Sequence, residues 1–475
     1  MALGLEGGGA MKITIQITVE SDDGQLNVAQ EVTQLDRGTL RPETLGLSLA
    51  EAQSVLGRIE QTVVEQQVAE FIAQQRTCSH CGHERSRKGR HHIVFRTPFG
   101  KVRLESPRLY HCRCESDDRT SFSPLAELLQ ERTHPELVYL ETKFAALVSY
   151  GLTVELLKEV LPISQDLSTT AIRRRVRQMA QRLEDELGEE QDIFIDGCQR
   201  HWDQLPDPAA PLIVGIDGGY IHAKDRESPT EGWFEVIVGK SMSQDAESSK
   251  CFGFVNRYDS KPKRRLFEIL KSQGMQMNQV VTFLSDGGDT VRDLQMYMNP
   301  QAEHLLDWFH ISMRLTVMSQ LAKSIETDDQ PNLSAEIEKE LECLKWNLWH
   351  GNVHKALQIV EDLEVALDIE ENSQEQRKLL KAIREFGTYI TSNRTFIVNY
   401  GDRYRHGETI STGFVESAIN QVVSKRMVKK QQMRWTELGA HLLLQVRTRV
   451  LNQEWRATLS RWYPWMQETC DAKAA

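Results

Sequence analysis

PLIVGIDGGYIHAK, residues 211–224, is apolar enough for a buried strand, yet it carries Asp217 in its middle, followed by two glycines. QVVTFLSDGGDTVRDL, residues 279–294, repeats the arrangement, because an apolar run leads into Asp286 and two more glycines. Asp-Gly between apolar runs is typical of a hairpin turn, which is one interpretation of both aspartates. The other is that each strand presents a carboxylate where glycines let a ligand backbone come close.

Strand-like runs surround these two stretches, at residues 211–223, 232–240, 251–258 and 279–284, and in AEHLLDWFHI at 302–311. A short basic helix, KPKRRLFEILKSQ, precedes the fourth run. This order of strands and helices predicts an α/β layer with a mixed sheet. From about 315 to 398 the pattern is helical only, so we expect a small α/β core interrupted by an all-helical insertion.

The chain of 475 residues is long enough for about three domains, and its patterns divide it further. The predicted segments are an N-terminal strand and helix region (1–75), a cysteine-containing β segment (76–116), a helical segment (117–205), the first part of the α/β core (206–317), the helical insertion (318–400), the second part of the core (401–455) and a C-terminal tail (456–475).

The charges are segregated along the chain. The net charge is −11, but residues 76–113 carry ten Lys or Arg against two Glu, whereas 324–372 is rich in acids. A basic block of this kind can meet a phosphate backbone although the protein is acidic as a whole.

No apolar run is long enough to span a bilayer. The first twenty residues also lack a basic region followed by an apolar core, which a signal peptide would have. We therefore expect a cytoplasmic protein that has no membrane partner.

Four of the eight cysteines form two close pairs, Cys78 with Cys81 and Cys112 with Cys114. A reducing compartment makes metal binding a better explanation than disulfides. Zinc takes four ligands in a tetrahedron, and a hairpin between the pairs would bring them together as a zinc ribbon. One of the neighbouring histidines could replace a cysteine: His80, His83 or His111. The remaining alternative is unpaired surface thiols.

Two helical patterns joined by a short turn follow, GLTVELLKEVLP and ISQDLSTTAIRRRVRQMAQRL. Ser168, Thr169 or Thr170 could cap the second helix. Its early turns carry Arg173, Arg174, Arg175 and Arg177, as a recognition helix in a major groove would. A basic, solvated helix face explains the same pattern equally well.

A third carboxylate, Glu416, lies at the start of the helical pattern VESAINQVVSKRMVKKQQMRW. The cations that follow, Lys425, Arg426, Lys429 and Lys430, suit a site that handles a polyanion. Alternatively, Glu416 is only a favourable first-turn acid. Glu408 and Glu437 compete for the same role.

Phosphodiester cleavage gives a reason to group the carboxylates. Two divalent ions about 4 Å apart activate the attacking oxygen and stabilise the leaving one. Mg²⁺ takes oxygen ligands and keeps waters, so few carboxylates suffice. Crowded carboxylates repel one another, and a bound cation relieves that repulsion.

Four motifs, in order GIDGGYIHAK, FLSDGGDTVRDL, LLDWFHISMRL and FVESAINQVVSKRM, resemble those of DDE transposases from bacterial insertion sequences. The nearest resemblance is to the Kra-type insertion-sequence family, which is related in plan to Mutator-like enzymes. It covers essentially the whole chain and is strongest from 211 to 440.

The resemblance implies a ribonuclease H-like core with Asp217 on its first strand, Asp286 just after the fourth and Glu416 on a late helix. It also implies that the 318–400 segment is an insertion into that core. Asp307 and His310 would form an auxiliary motif near the site. Asp307 could aid the metal or hydrogen-bond His310, and a plain strand-to-helix junction is equally compatible with the motif.

The expected function is that of a transposase using Mg²⁺ or Mn²⁺ at the carboxylates and structural Zn²⁺ at the cysteines. Its partner would be double-stranded DNA, both terminal repeats and target, and joining two ends implies a homodimer or a higher oligomer at the bacterial nucleoid. The alternatives are an inactive or domesticated zinc-ribbon regulator and a ribonuclease H-like nuclease without strand transfer.

Overall fold

The computed structural model describes residues 11–20, 27–38, 41–42, 45–114, 120–163, 166–208, 210–224, 232–243, 249–325, 332–368, 373–428 and 433–466. Within these residues the chain is mixed α/β. It divides into two compact units, residues 1–176 with 455–475, and residues 177–454.

The first unit combines antiparallel strands with helices. In chain order its elements are β1 (Met11–Glu20), β2 (Asn27–Arg37), α1 (Leu49–Gln75), β3 (Arg87–Thr97), β4 (Gly100–Tyr110), β5 (Ser121–Phe122), α2 (Pro124–Leu128), α3 (Pro135–Leu147), α4 (Tyr150–Val160) and α5 (Thr169–Glu186), whose end belongs to the second unit. β1 pairs with β2, and β3, β4 and β5 form a second antiparallel sheet in that order. Ile93, Val102 and Leu104 form its core together with Leu125 of α2.

Helix starts in this unit follow their capping residues. Ser48 and Glu51 form a capping box at the start of α1. The break between α3 and α4 lies at Val148 and Ser149, because the Ser149 side chain caps α4, and Gly151 lies inside the first turn of that helix.

The second unit contains a five-stranded sheet and most of the helices. Its elements are α6 (Gln199–Trp202), β6 (Leu212–His222), β7 (Trp233–Ser243), β8 (Ser249–Val255), α7 (Pro262–Ser272), β9 (Val281–Ser285), α8 (Asp289–Gln295), β10 (Ala302–Leu306), α9 (Trp308–Lys323), α10 (Leu333–Trp349), α11 (Val353–Leu367), α12 (Gln374–Ser392), α13 (Tyr400–Arg405), α14 (Gly413–Ile419) and α15 (Glu437–Leu451). A 3-10 turn spans Arg394–Phe396, and a π-helix, Asn420–Val428, continues α14.

The strand order is β10–β9–β6–β7–β8. β6, β7 and β8 are antiparallel neighbours, β9 is parallel to β6, and β10 is parallel to β9. The predicted mixed sheet is therefore confirmed. The last strand is shorter than expected, since it ends at Leu306 and Asp307 caps the helix that begins at Trp308.

The helices α9 to α12 have a core of their own. Their apolar faces meet at side chains such as Leu315, Leu344, Ile359 and Phe386, each at most 4% exposed. This cluster also includes Leu306 and Ile410, where the chain leaves and re-enters the sheet region. The stretch from 308 to 405 contains helices and a 3-10 turn but no strand among the residues described, as the sequence predicts.

The last helix, α16 (Trp455–Trp462), returns to the first unit, where the Trp455 indole donates to Thr142 Oγ1 at 2.9 Å. No helix within the described ranges is both long and apolar enough to cross a membrane.

Candidate active site and metal centre

Asp217 and Asp286 start from neighbouring positions on two parallel strands. β6 runs without interruption through Asp217, which pairs with Val238 of β7, so the turn interpretation is wrong for this residue. Asp286 follows the last residue of β9 directly. Ile216 and Ser285 are register partners, and adjacent strands lie about 4.8 Å apart. The two aspartates therefore lie side by side, Asp217 within β6 and Asp286 directly after β9.

Glycines make room for a helix on the Asp217 face of the sheet. Residues 215, 217 and 219 point to one face because strand side chains alternate. A Cβ on Gly215 would overlap Val415 and Phe414, and one on Gly219 would lie 3.5 Å from Ile419. Helix α14, which carries Glu416, therefore lies directly on the face from which Asp217 projects.

The loop after β9 depends on a left-handed glycine. Gly287 has φ +80°, and a Cβ there would lie 2.7 Å from the Leu306 side chain and would overlap the Asn393 amide. The next N–H, from Gly288, donates to Asp286 Oδ1 at 2.9 Å. The backbone of the Asp-Gly-Gly sequence thus fixes the Asp286 carboxylate.

We expect Gly287→Ala to destabilise the second unit more than Gly274→Ala. Both glycines have positive φ, +80° and +84°, but no atom lies within 4 Å of a Cβ on Gly274. A left-handed alanine costs about 1–2 kcal/mol, and overpacking at Gly287 should add about 1–3 kcal/mol. Urea unfolding of the two variants measures the difference. Equal losses would show that the contacts with Asn393 and Leu306 do not constrain the loop.

Asp307 joins the start of α9 to the start of α14. Its fully buried carboxylate accepts hydrogen bonds from the Phe309 N–H (2.8 Å), from the Thr412 N–H (3.0 Å) and from the Thr412 hydroxyl. Its Oδ2 also lies 2.9 Å from His310 Nδ1. Asp307 therefore orients His310 and fixes the N-cap of the Glu416 helix. No sequence pattern indicated Thr412, because its side chain forms no cap hydrogen bond to α14 and its partner Asp307 lies 105 residues earlier.

The acidic groups and His310 act on one another electrostatically. Burial raises the pKa of Asp217, and the charges of Asp286 and Asp307 raise it further; His310 and the Gly218 N–H oppose the rise without reversing it. For His310, burial alone would lower the pKa. Its hydrogen bond to Asp307 and the carboxylate charges outweigh burial and raise it.

Glu416 is exposed on α14, above the Asp217 face. The competing glutamates lie elsewhere: Glu408 is paired with Arg403 at 2.8 Å, and Glu437 is in the first turn of α15. Among the residues described, Asp217, Asp286 and Glu416 do not form a group with ligand atoms within 4.8 Å of one another. Their joint role as metal ligands stays a prediction.

The donors at this site suit a hard divalent cation. Carboxylate oxygens are the ligands that Mg²⁺ prefers. The raised pKa of Asp217 shows that its negative charge is disfavoured by burial and by like-charged neighbours. A cation between Asp217 and Asp286 would relieve both effects.

Only part of the basic stretch after Glu416 is available to a ligand. Lys425 is exposed, but Arg426 is fully buried, with its guanidinium 5.4 Å from the centre of the Trp435 ring. The expectation that Arg426 contacts DNA is therefore corrected, because it packs inside the unit. Lys429 and Lys430 lie outside the described residues.

The four cysteines of the two pairs come together in the first unit. Cys78 Sγ lies 3.5 Å from Cys114 Sγ, and Cys81 Sγ lies 3.4 Å from both Cys112 and Cys114. These separations are far above the roughly 2 Å of a disulfide and close to the ~3.8 Å edge of a tetrahedron with 2.3 Å Zn–S bonds. The four thiols can therefore bind a structural zinc ion. Neither His80, His83 nor His111 belongs to this group.

Backbone N–H groups favour the thiolate form at two of these positions. The N–H of Cys114 is the main cause that lowers the pKa of Cys112 to about 7, and the N–H of His80 is the main cause that lowers the pKa of Cys78. Thiolate is the form that binds metal. At the other two positions the neighbouring thiols act in the opposite direction: contacts with the other cysteines raise the pKa of Cys114, and they outweigh the His83 N–H at Cys81 and raise its pKa as well.

The four arginines near the start of α5 have different surroundings. Ser168 Oγ accepts from the Ala171 N–H and caps the helix. Arg173 and Arg174 are exposed and can reach a ligand, and Arg177 is half-buried. Arg175 donates to Glu141 Oε2 at 3.2 Å and to Thr133 Oγ1 at 2.6 Å, so its predicted role in DNA binding is corrected to a structural one.

The turn before α5 is also longer than expected. Residues 161–168 separate α4 from α5, whereas a helix-turn-helix has a turn of about three or four residues. The predicted short turn is therefore wrong.

A buried charge network that no sequence motif indicated lies around Arg265. Its guanidinium donates to Asp259 (2.8 Å), Glu184 (2.9 Å) and Gln445 (2.7 Å). Glu184 and Asp259 also form, with His441, a group whose ligand atoms lie within 4.8 Å of one another. Arg265 already supplies the cation for both carboxylates, so we assign the network a structural role. Its members are up to 261 residues apart in sequence, from Glu184 to Gln445, and no local pattern relates Glu184 to His441.

We expect Glu184→Gln to lower stability at neutral pH and to flatten its dependence on acid. Burial alone would raise the pKa of Glu184, but His441 and Arg265 outweigh burial and lower it to about 2, below its ordinary 4.5. The carboxylate therefore stabilises the fold above about pH 4.5, and this stability is lost as pH falls from 4.5 toward 2. The loss is about 2–3 kcal/mol.

Urea unfolding between pH 7 and about pH 2 measures the effect, because most of the loss falls below pH 4. Asp185→Asn, at an exposed neighbour, is the control and should follow the wild type. A Glu184→Gln variant with the wild-type pH dependence would contradict the role of this network.

Comparison of the chain with models of known protein families and with curated protein sequences gives no match.

Proposed function

We propose that the protein is a metal-dependent DNA transposase of the DDE type. The observation that carries the proposal is the position of Asp217 and Asp286, side by side at residues that follow register partners on parallel strands. The helix that bears Glu416 lies on the same face of the sheet. An arrangement of two strand carboxylates beneath a helix carboxylate suits divalent cations and a phosphodiester.

The sheet supports a ribonuclease H-like core. Three antiparallel strands, β6 to β8, are followed by two strands that add in parallel on the other side of β6. The helices from α9 to α12 interrupt this core between Asp286 and Glu416, as the resemblance to Kra-type and Mutator-like transposases implies.

Each region has a part in the proposed reaction. Mg²⁺ or Mn²⁺ at Asp217 and Asp286 would activate the attacking water or 3′-hydroxyl and stabilise the leaving oxygen. His310 is close enough to feel the charges of Asp217 and Asp286. Glu416 is exposed on the helix that covers the Asp217 face, and Lys425 is an exposed cation on the π-helix after it. The cysteine cluster with its basic strands, together with Arg173 and Arg174, would bind the ends of the element. A homodimer would hold two ends.

The test is an assay with linear DNA that carries the sequences flanking the gene, a supercoiled plasmid target and Mg²⁺. Joined products support the proposal. Cleavage without joining would indicate a nuclease of the same fold, and DNA binding without cleavage would indicate a regulator. Either of these two outcomes would contradict the proposal that the protein catalyses strand transfer.

A further inference from the structure

Arg314 lies on the face of α9 that borders the carboxylate site. Asp307, His310 and Arg314 follow one another at spacings of three and four residues, which places them along one side of the helix start. Arg314 is exposed. No carboxylate in the described part of the chain forms an ion pair with it, whereas His310 pairs with Asp307.

A second helix of the insertion holds the Arg314 side chain in place. Its guanidinium carbon lies 4.4 Å from the centre of the Tyr389 ring on α12. A cation above an aromatic face at this distance is attracted by the ring. The stacked guanidinium has fewer conformations to lose when it binds a ligand, and its N–H groups at the rim stay free to donate.

The end of α12 adjoins the Asp286 loop. Asn393 is 3% exposed, and its amide lies where a Cβ of Gly287 would be. Its Nδ2 donates to the Tyr389 carbonyl at 3.0 Å, and its Oδ1 has no hydrogen-bond partner among the described residues. Burial raises the pKa of Tyr389, and the charges of Asp286 and Asp307 add to the rise. The Arg314–Tyr389 pair therefore borders the carboxylates.

We propose that Arg314, held by Tyr389, is a DNA-binding residue that the helical insertion contributes to the carboxylate site, where it binds a phosphate next to the one that is cut. This inference rests on the proposed function. The divalent cations would neutralise the carboxylates at the reacting phosphate, and an oriented cation beside them favours binding of the neighbouring phosphate. Arginine suits this task because its planar guanidinium can stack and bind phosphate at once.

The experiment measures DNA cleavage as a function of DNA concentration for four variants. Arg314→Ala should raise KM about tenfold or more, the scale of one lost charged hydrogen bond. Tyr389→Ala should have a similar effect, and Tyr389→Phe should behave as wild type because it keeps the ring. The control is Lys378→Ala. It removes an exposed cation that lies eleven residues before Tyr389 on α12, about 16 Å from Tyr389, and it should leave KM unchanged.

A second readout is independent of cleavage. In the Asp286→Asn background, Arg314→Ala should reduce the slope of log affinity against log salt by about 1, as loss of one phosphate contact does. Wild-type KM and salt slope in Arg314→Ala, together with active wild-type enzyme, would overturn the inference and leave the proposed function standing. Absence of cleavage by the wild-type protein would instead overturn the proposed function, and this inference with it.

Discussion

Asp286→Asn is expected to abolish DNA cleavage and joining while DNA binding persists. Asparagine keeps the size of the side chain and an oxygen that can accept from the Gly288 N–H. It removes the negative charge that would hold a divalent cation. Mutation of a residue that only supports a metal ligand lowers metal affinity or activity about 10–100-fold. Loss of a ligand itself should therefore lower DNA cleavage by more than about 100-fold.

The measurement compares wild type, Asp217→Asn and Asp286→Asn in the cleavage assay and in a gel-shift assay. Asp289→Asn is the matched control, since this residue is three positions away, has a side chain 86% exposed and pairs with Arg292 instead. It should cleave DNA as the wild type does. If Asp286→Asn retained wild-type cleavage, the carboxylate site would not be the active site.

Cys112→Ser is expected to remove bound zinc and to unfold the β3–β5 region of the first unit. A structural zinc contributes about 10–16 kcal/mol in small zinc-binding folds, and the apolar core here is limited to a few side chains such as Ile93 and Val102. Without the zinc ion, no bond links the segment that holds Cys78 to the segment that holds Cys112. DNA-end binding should decrease with them, because this region carries the basic block.

Zinc content after dialysis and thermal melting test this expectation. Cys198→Ser is the control, because Cys198 is an exposed free cysteine in the second unit. It should retain about one zinc ion per chain. Equal zinc content in Cys112→Ser and wild type would show that the thiol cluster does not bind the metal.

The sequence was sufficient for features that depend on local patterns. Apolar strand-like runs located the five strands of the second unit, although the last is shorter than expected, and the cysteine spacing located the thiol cluster. The glycines after Asp217 were interpreted as room for a ligand backbone. In the structure Gly215 and Gly219 face α14 and allow its close packing on β6, and this contact joins residues about 200 positions apart.

The sequence could not decide which charged side chains face solvent. Arg175 and Arg426 lie in basic stretches that look uniform, yet the half-buried Arg175 is paired with the buried Glu141 and Arg426 is fully buried beside Trp435. Long-range packing decides such cases. Tyr389 and Asn393 were missed for the same reason, since nothing in their helix indicates that it ends against the Asp286 loop.

The hydrogen bonds between Asp307 and Thr412 join two residues that are 105 positions apart. The chain thus leaves the sheet region and returns to it at a single point, and the helices between form a side branch of the core. The entropic free energy needed to close such a loop depends only weakly on its length, since doubling the number of residues adds about 0.6 kcal/mol. Helices α10 and α11 are therefore free to lengthen, shorten or change in evolution, provided that the Asp307–Thr412 junction and the ends of α9 and α12 near Asp286 are kept.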